Sequence, residues 1–261
     1  MFEKYPSDNR PMCLNITIKC SGNKAFRVWA EDSGKPNSKY ADRQILVEGE
    51  RTIYFSFPVS PKELFIGIVN TSNHNDADFS YDIKEVRLKD YSIALDRKTR
   101  DFLNLAIYFS QVCGFSPATQ NGSKYETEDG EYKIKFFDVI RDVVSGRVMN
   151  TPARIGHKTG NIEVAQVKFD KYTVPMRVMI LLHEYSHKYK NPKIGLPISH
   201  EIGADINGLY IYLGLGFSKI DAICVFANVF LKAQTPQNIE RMRKITDYIQ
   251  RFENQEYAQL N

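Results

Sequence analysis

The sequence predicts an α+β fold in which a β-rich part comes first and a mostly helical part follows. Through the first third of the chain, apolar residues recur at every second position in short runs, which is the period of half-buried strands. From Thr173 onward they recur at helical spacing, and prolines and glycines bound the runs. The period changes near residues 90–97. The chain is therefore predicted to contain two domains, residues 1–92 and residues 93–261.

The N-terminal domain is predicted to be an antiparallel β-sandwich, similar to a jelly roll or a carbohydrate-binding accessory module. Apolar residues alternate in "LNITI", "RTIYFSFP" and "DFSYDI", and "ELFIGIVN" is a compact apolar run. Polar stretches separate these runs, as turns do. About six strands in roughly eighty residues are typical of a sandwich. The polar segment 73–78 is interpreted as a solvated turn and not as an ion-binding loop, so this domain is expected to have an accessory role.

The C-terminal domain is predicted to combine a small sheet with helices. Thr99–Val112 has helical spacing, and Gly114 follows as a stop signal. The stretches "EYKIKFFDVI" and "GNIEVAQVKFDKY" have the composition of strands. Four helices are predicted to follow, beginning near Pro175, Ser199, Ser218 and Pro236.

The composition is that of an ordinary globular protein. Its 35 basic and 31 acidic residues are interleaved and give a net charge of +4, so neither a nucleic-acid role nor a membrane role is indicated. No stretch approaches the roughly 18 apolar residues that a membrane span needs. The four cysteines include no Cys-x-x-Cys pair and are expected to be free thiols. Because the N-terminus also lacks an apolar signal core, a cytoplasmic location is expected.

The stretch "MILLHEYSHKYK" places two of the chain's five histidines four residues apart in a predicted helix. His183 and His187 then project from one face, one turn apart, and can bind one metal ion. Glu184 is offset by one residue, where it can accept a proton from a metal-bound water. This is the His-Glu-x-x-His pattern of zinc hydrolases. A chance pattern on an exposed helix is the alternative, but the preceding apolar run predicts a buried helix, and buried histidines need partners.

A catalytic zinc ion needs a third protein ligand, and "PISHEIGADINGLY" supplies a candidate. Glu201 follows His187 with thirteen residues between them. Asp205 shares a helix face with Glu201, and Gly208 continues that face and permits close helix packing. Two inward carboxylates are costly to bury unless one binds the metal and the other holds a histidine ring. His200 is the competing ligand, but an adjacent helical residue points about 100° away from that face.

"HEYSH" followed by "EIGAD" resembles the gluzincin group of zinc metallopeptidases, whose pattern is HExxH, a spacer and ExxxD. The spacer is short compared with thermolysin-like members, so the chain is more similar to compact zincins. The resemblance covers residues 97–261 in layout but only residues 183–205 in specific motif. It implies that zinc is bound by His183, His187 and Glu201, that Glu184 is the general base, and that Asp205 hydrogen-bonds a ligating histidine.

The resemblance has two further implications. Zincins align a peptide substrate on an edge strand, and "GNIEVAQVKFD" stands at the corresponding place in this sequence. Gluzincins also use a tyrosine or histidine to stabilise the oxyanion, and this sequence does not single one out. The candidates are His157, Tyr189, His200, Tyr210 and Tyr212.

The function expected from these features is zinc-dependent hydrolysis of a protein or peptide substrate. The alternative is a structural or assembly component, such as a phage virion protein, that carries a zincin-like but inactive domain. Its location would then be the virion and its partner a larger protein assembly. A regulatory protease acting on one repressor-like partner is a third possibility that the sequence leaves open.

Overall fold

The computed structural model describes most of the chain, and its fold is α+β, as the sequence predicts. The described residues are 1–35, 38–72, 79–89, 91, 93–156, 158–188 and 200–253, with only the backbone of His200. The chain forms two compact units: residues 1–91 with 173–175 and 216–218, and residues 92–172 with 176–215 and 219–261. The main division therefore falls beside the predicted boundary. Independent folding of the two halves stays a prediction.

The first unit contains one five-stranded antiparallel sheet. Its strands are β1 (Phe2–Pro6), β2 (Met12–Asp32), β3 (Lys39–Phe57), β4 (Glu63–Asn70) and β5 (Phe79–Val86). The order is β1-β4-β2-β3, and β5 also pairs with β2. Along one edge β2 pairs with β3, and along the other it pairs first with β5 and then with β4.

Side-chain alternation explains the core of this unit. The inward-facing residues of β2 are buried on both sides of a register shift between Lys19 and Asn23. They are Met12, Leu14, Ile16, Ile18, Phe26, Val28 and Ala30, and together with apolar residues of β3, β4 and β5 they form one cluster. The predicted antiparallel, β-rich character is confirmed. Among the described residues of this unit there are five strands and not about six, because β2 and β3 are continuous strands of 21 and 19 residues. Residues 73–78 lie outside the described residues.

The second unit combines a four-stranded sheet with helices. Its strands are β6 (Ser123–Glu126), β7 (Lys133–Phe137), β8 (Ala153–Ile155) and β9 (Ile162–Ala165), in the order β6-β7-β9-β8. Its helices are α1 (Arg97–Val112), α2 (Gln166–Phe169), α3 (Val174–Ser186), α4 (His200–Gly214), α5 (Lys219–Val225) and α6 (Pro236–Glu253), with a π-helical turn at Phe226–Phe230. Within the described part of the chain, no helix is long and apolar enough to cross a membrane. All four cysteines are free thiols, as predicted.

The expectation that the stretch at residues 160–170 supplies an edge strand is wrong. Only Ile162–Ala165 forms a strand, β9, and the following residues form the short helix α2. Strand β9 is internal, because it pairs in parallel with β7 and antiparallel with β8. Ile162 and Val164 are buried on one face of β9, whereas Glu163 on the other face pairs with Arg154 of β8. The sheet edges are β6 and β8.

Helix α3 is tightly packed within the second unit. Its residues from Val178 to Leu182 are completely buried. Tyr185, inside the HEYSH motif, stacks on Phe102 of α1 with ring centroids 4.2 Å apart, and its hydroxyl lies 3.1 Å from Thr99 Oγ1. Such contacts restrict the rotation of α3 about its axis. They therefore fix the direction in which the neighbouring histidines project.

Candidate metal centre

The two histidines of the HEYSH motif meet at the C-terminal end of α3. The helix ends at Ser186, one residue earlier than the spacing predicts for a helix that contains both. The His187 N–H donates to the Glu184 carbonyl at 3.2 Å, so a tighter turn continues the chain in nearly the same direction. The Nε2 atoms of His183 and His187 lie 3.1 Å apart. Two imidazole nitrogens therefore face one point.

Glu201 brings a carboxylate from the first turn of α4 to the same point. Its Oε1 lies 3.7 Å from His187 Nε2, and its Oε2 lies 3.8 Å from His183 Nε2. Two ligand atoms on a tetrahedral zinc ion are about 3.4 Å apart, given metal–ligand bonds of about 2.1 Å. The three residues form a group that can bind a metal ion. The His183 side chain is 3 % exposed and that of Glu201 is 43 % exposed, so the group opens to solvent on the Glu201 side.

Asp205 orients the first histidine. It lies one turn after Glu201 in α4, and its Oδ1 is 2.9 Å from His183 Nδ1. A carboxylate on Nδ1 directs Nε2 of the same ring toward the candidate metal position. The structure thus brings together the four residues His183, His187, Glu201 and Asp205.

Arg241 of α6 also belongs to the site, and the sequence reasoning missed it. Its Nε donates to Asp205 Oδ2 at 2.9 Å, and its Nη2 donates to Asp205 Oδ1 at 3.0 Å. The same Nη2 lies 3.2 Å from Glu201 Oε2. The residue is buried, at 6 % exposure. One guanidinium therefore joins the two carboxylates of α4.

A signal for Arg241 exists in the sequence. The residue is in phase with Ile245, Ile249 and Phe252, which form the buried face of α6. An arginine at helical spacing within an apolar stripe needs a buried acidic partner. Ile239 stands at helical spacing before this stripe but does not belong to it, because it is 62 % exposed.

Close packing of α3 and α4 brings the ligands together. A Cβ atom on Gly208 would lie 3.1 Å from Met179 Cε and 3.3 Å from the backbone nitrogen of His183, so a side chain there would require these neighbours to shift by a few tenths of an ångström. The predicted role of Gly208 is confirmed. Asn207 Nδ2 donates to Ser186 Oγ at 2.8 Å, which adds a buried hydrogen bond between the same helices.

An aromatic ring covers His183. Phe230 is the last residue of the π-helical turn, in which the Leu231 N–H donates to the Phe226 carbonyl at 2.8 Å. The Phe230 ring stacks on the imidazole of His183 with centroids 4.0 Å apart. This contact packs one face of the ring while leaving its two nitrogens to Asp205 and to the metal position.

Comparisons with models of protein families, with curated proteins and with solved structures found no match to this chain. The character of the site therefore rests on its residues and their geometry.

Glu184, the residue expected to act as a base, is buried at 8 % exposure. It follows His183 directly in α3. Burial lowers the pKa of His183, but the contact with Asp205 and the charges of Glu184 and Glu201 raise it, and the net direction is upward. The nearby carboxylates therefore favour a positive charge at this ring.

The raised pKa of His183 predicts a pH dependence of the metal-free protein. Protonated His183 stabilises the folded state fully below the unfolded pKa of about 6.5, and this contribution is lost as pH rises through the higher folded pKa. In the presence of a chelator, the free energy of unfolding should therefore decrease as pH rises over that range. The decline should be weaker in His183→Gln. A wild-type curve that rises through the same range would contradict the prediction. Metal-dependent stabilisation should instead grow with pH, because ligands must be deprotonated.

Of the oxyanion candidates, the structure excludes two at this site. Tyr210 and Tyr212 follow Glu201 in α4 by nine and eleven residues, or about 14 and 16 Å along the axis, which is further than a tyrosine side chain reaches. His157, Tyr189 and the side chain of His200 lie outside the described residues.

Proposed function

We propose that the protein is a zinc-dependent metallopeptidase in which His183, His187 and Glu201 bind the ion. The observation that carries this proposal is the convergence of two imidazole nitrogens and one carboxylate within 4.8 Å of one another. Two histidines and an acid are a typical catalytic zinc set, whereas structural zinc sites are usually closed and rich in cysteine. The exposed side of Glu201 leaves room for water and substrate.

The residues around the ion would divide the chemistry among them. Zinc held by His183, His187 and Glu201 would supply a Lewis acid for the peptide carbonyl and for a water molecule. Glu184 would accept the proton that this water loses as it adds to the carbonyl carbon, and would give it to the leaving nitrogen as the C–N bond breaks. Asp205 keeps His183 in the orientation that exposes Nε2.

Metal analysis combined with a peptide digest tests this proposal. We expect one zinc per chain in the purified protein and cleavage of a peptide library, detected by mass spectrometry. A chelator should abolish the cleavage, and added zinc should restore it. Cleavage that persists in chelator-treated, zinc-free protein would refute the metallopeptidase function.

A structural or assembly protein with an inactive zincin-like domain, such as a phage virion component, is the second candidate. The contacts of Arg241 favour it, because this guanidinium pairs with Asp205 and approaches Glu201, so both carboxylates already have a cationic partner within the protein. For this candidate we expect no cleavage, no bound zinc and no change in melting temperature with chelator. Capsid and tail genes beside the coding gene would support it and would place the protein in the virion, whereas the peptidase is proposed to act in the cytoplasm.

A further inference from the structure

We propose that Arg241 is a positioning residue that holds Glu201 so that it binds the metal through one oxygen only. The inference rests on the proposed metal site. It assigns to this arginine the task of keeping one coordination position open for water.

Asp205 holds the guanidinium in place independently of its contact with Glu201. Two of its N–H groups bind the two oxygens of Asp205, and Asp205 also contacts His183 Nδ1 at 2.9 Å. Such a two-point contact between planar groups defines the orientation of both. Arg241 is only 6 % exposed, so separating its charge from the carboxylates would be costly. Arg241 therefore provides a hydrogen-bond donor in a fixed position.

The contact with Glu201 distinguishes its two oxygens. Both oxygens lie at a similar distance from a histidine nitrogen, Oε1 3.7 Å from His187 Nε2 and Oε2 3.8 Å from His183 Nε2, but Oε2 is the oxygen that approaches Arg241 Nη2, at 3.2 Å. The donor thus engages Oε2 and leaves Oε1 to the metal. A carboxylate bound through both oxygens would take an additional coordination position. Catalytic zinc sites instead use three protein ligands and leave the fourth position to water or substrate.

The chain offers a matched control in Arg177, which is also buried and belongs to α3. Its guanidinium donates to main-chain carbonyls of Ser110, Phe169 and Asp170 at 3.0–3.3 Å. Replacing Arg177 removes a buried guanidinium but no contact to Glu201 or Asp205. It therefore separates general destabilisation from positioning.

The experiment measures zinc affinity by chelator competition, and coordination by the visible spectrum of the cobalt-substituted protein. Arg241→Gln should weaken zinc binding by about 10–100-fold, as expected for loss of a residue that orients a ligand. It should also change the cobalt spectrum. Arg241→Lys keeps the charge but not the two-point geometry, and should fall between Arg241→Gln and wild type. Arg177→Lys should lower the melting temperature and leave both metal readouts unchanged.

Two outcomes would overturn the inference, and they differ from each other. If the wild type binds zinc and both Arg241 variants keep its affinity and cobalt spectrum, Arg241 is structural and the metal site stands. If the wild type binds neither zinc nor cobalt, the proposed metal site fails and the inference fails with it. Should Arg241→Gln not fold, Arg241→Lys decides the matter, because unchanged metal readouts in that variant refute positioning.

Discussion

Replacing Glu184 by glutamine should reduce peptide hydrolysis by at least about 10²–10⁴-fold, the usual contribution of a general base. Glutamine keeps the size and hydrogen-bonding capacity of the buried side chain but cannot accept the proton. Because Glu184 is not a proposed ligand, zinc content and melting temperature should stay at their wild-type values. The measurements are a quantitative peptide digest, elemental analysis and thermal unfolding of the same preparation.

Glu201→Gln is the informative comparison for that experiment. It makes the same chemical change in a proposed ligand, so it should lose zinc as well as activity. If Glu184→Gln cleaves peptides at the wild-type rate, Glu184 is not the base. If the wild type cleaves nothing and Glu184→Gln assembles normally with its partners, the structural candidate is favoured over the peptidase.

Replacing His187 or Glu201 by alanine should remove the metal almost completely. Each change deletes one of three ligands and leaves too few protein donors for a catalytic zinc site. The melting temperature of the zinc-loaded protein should fall too, since the ion connects the end of α3 with the start of α4 and metal-binding energy adds to folding energy. Elemental analysis and thermal unfolding, each with and without added zinc, measure the two effects.

His200→Ala serves as the control, because His200 is the neighbour of Glu201 and the competing ligand. It should keep its zinc. If His200→Ala loses zinc while Glu201→Ala retains it, the third ligand has been assigned to the wrong residue of α4.

Local patterns were sufficient to predict the fold class and the central part of the site. Periodicity separates the β-rich part from the helical part, and the four-residue spacing places His183 next to His187. The same spacing puts Glu201 and Asp205 on one face of α4. These features depend on helix geometry over one or two turns, which the sequence encodes directly. The assignment to the gluzincins remains a proposal.

Features that depend on long-range pairing were not predictable in the same way. Arg241 reaches Asp205 across 36 positions of sequence, so its place on the apolar face of α6 indicates that it needs an acidic partner but not which residue that partner is. The order β6-β7-β9-β8 places β9 inside the sheet, although nothing local distinguishes an internal strand from an edge strand of four residues. The sequence singles out the alternating run "LNITI", whereas β2 continues through the polar stretch "KCSGNK" to Asp32.

The π-helical turn at Phe226–Phe230 links the length of this segment to the environment of His183. A π-turn accommodates one residue more than the corresponding α-helical turn, and such turns often arise as single insertions at functional sites. Deleting one residue would return the segment to the α-helical register and rotate Phe230 by about 100° away from the imidazole. The length of this segment and the stacking of Phe230 on His183 are therefore coupled. A change of one residue in the length should remove the aromatic contact.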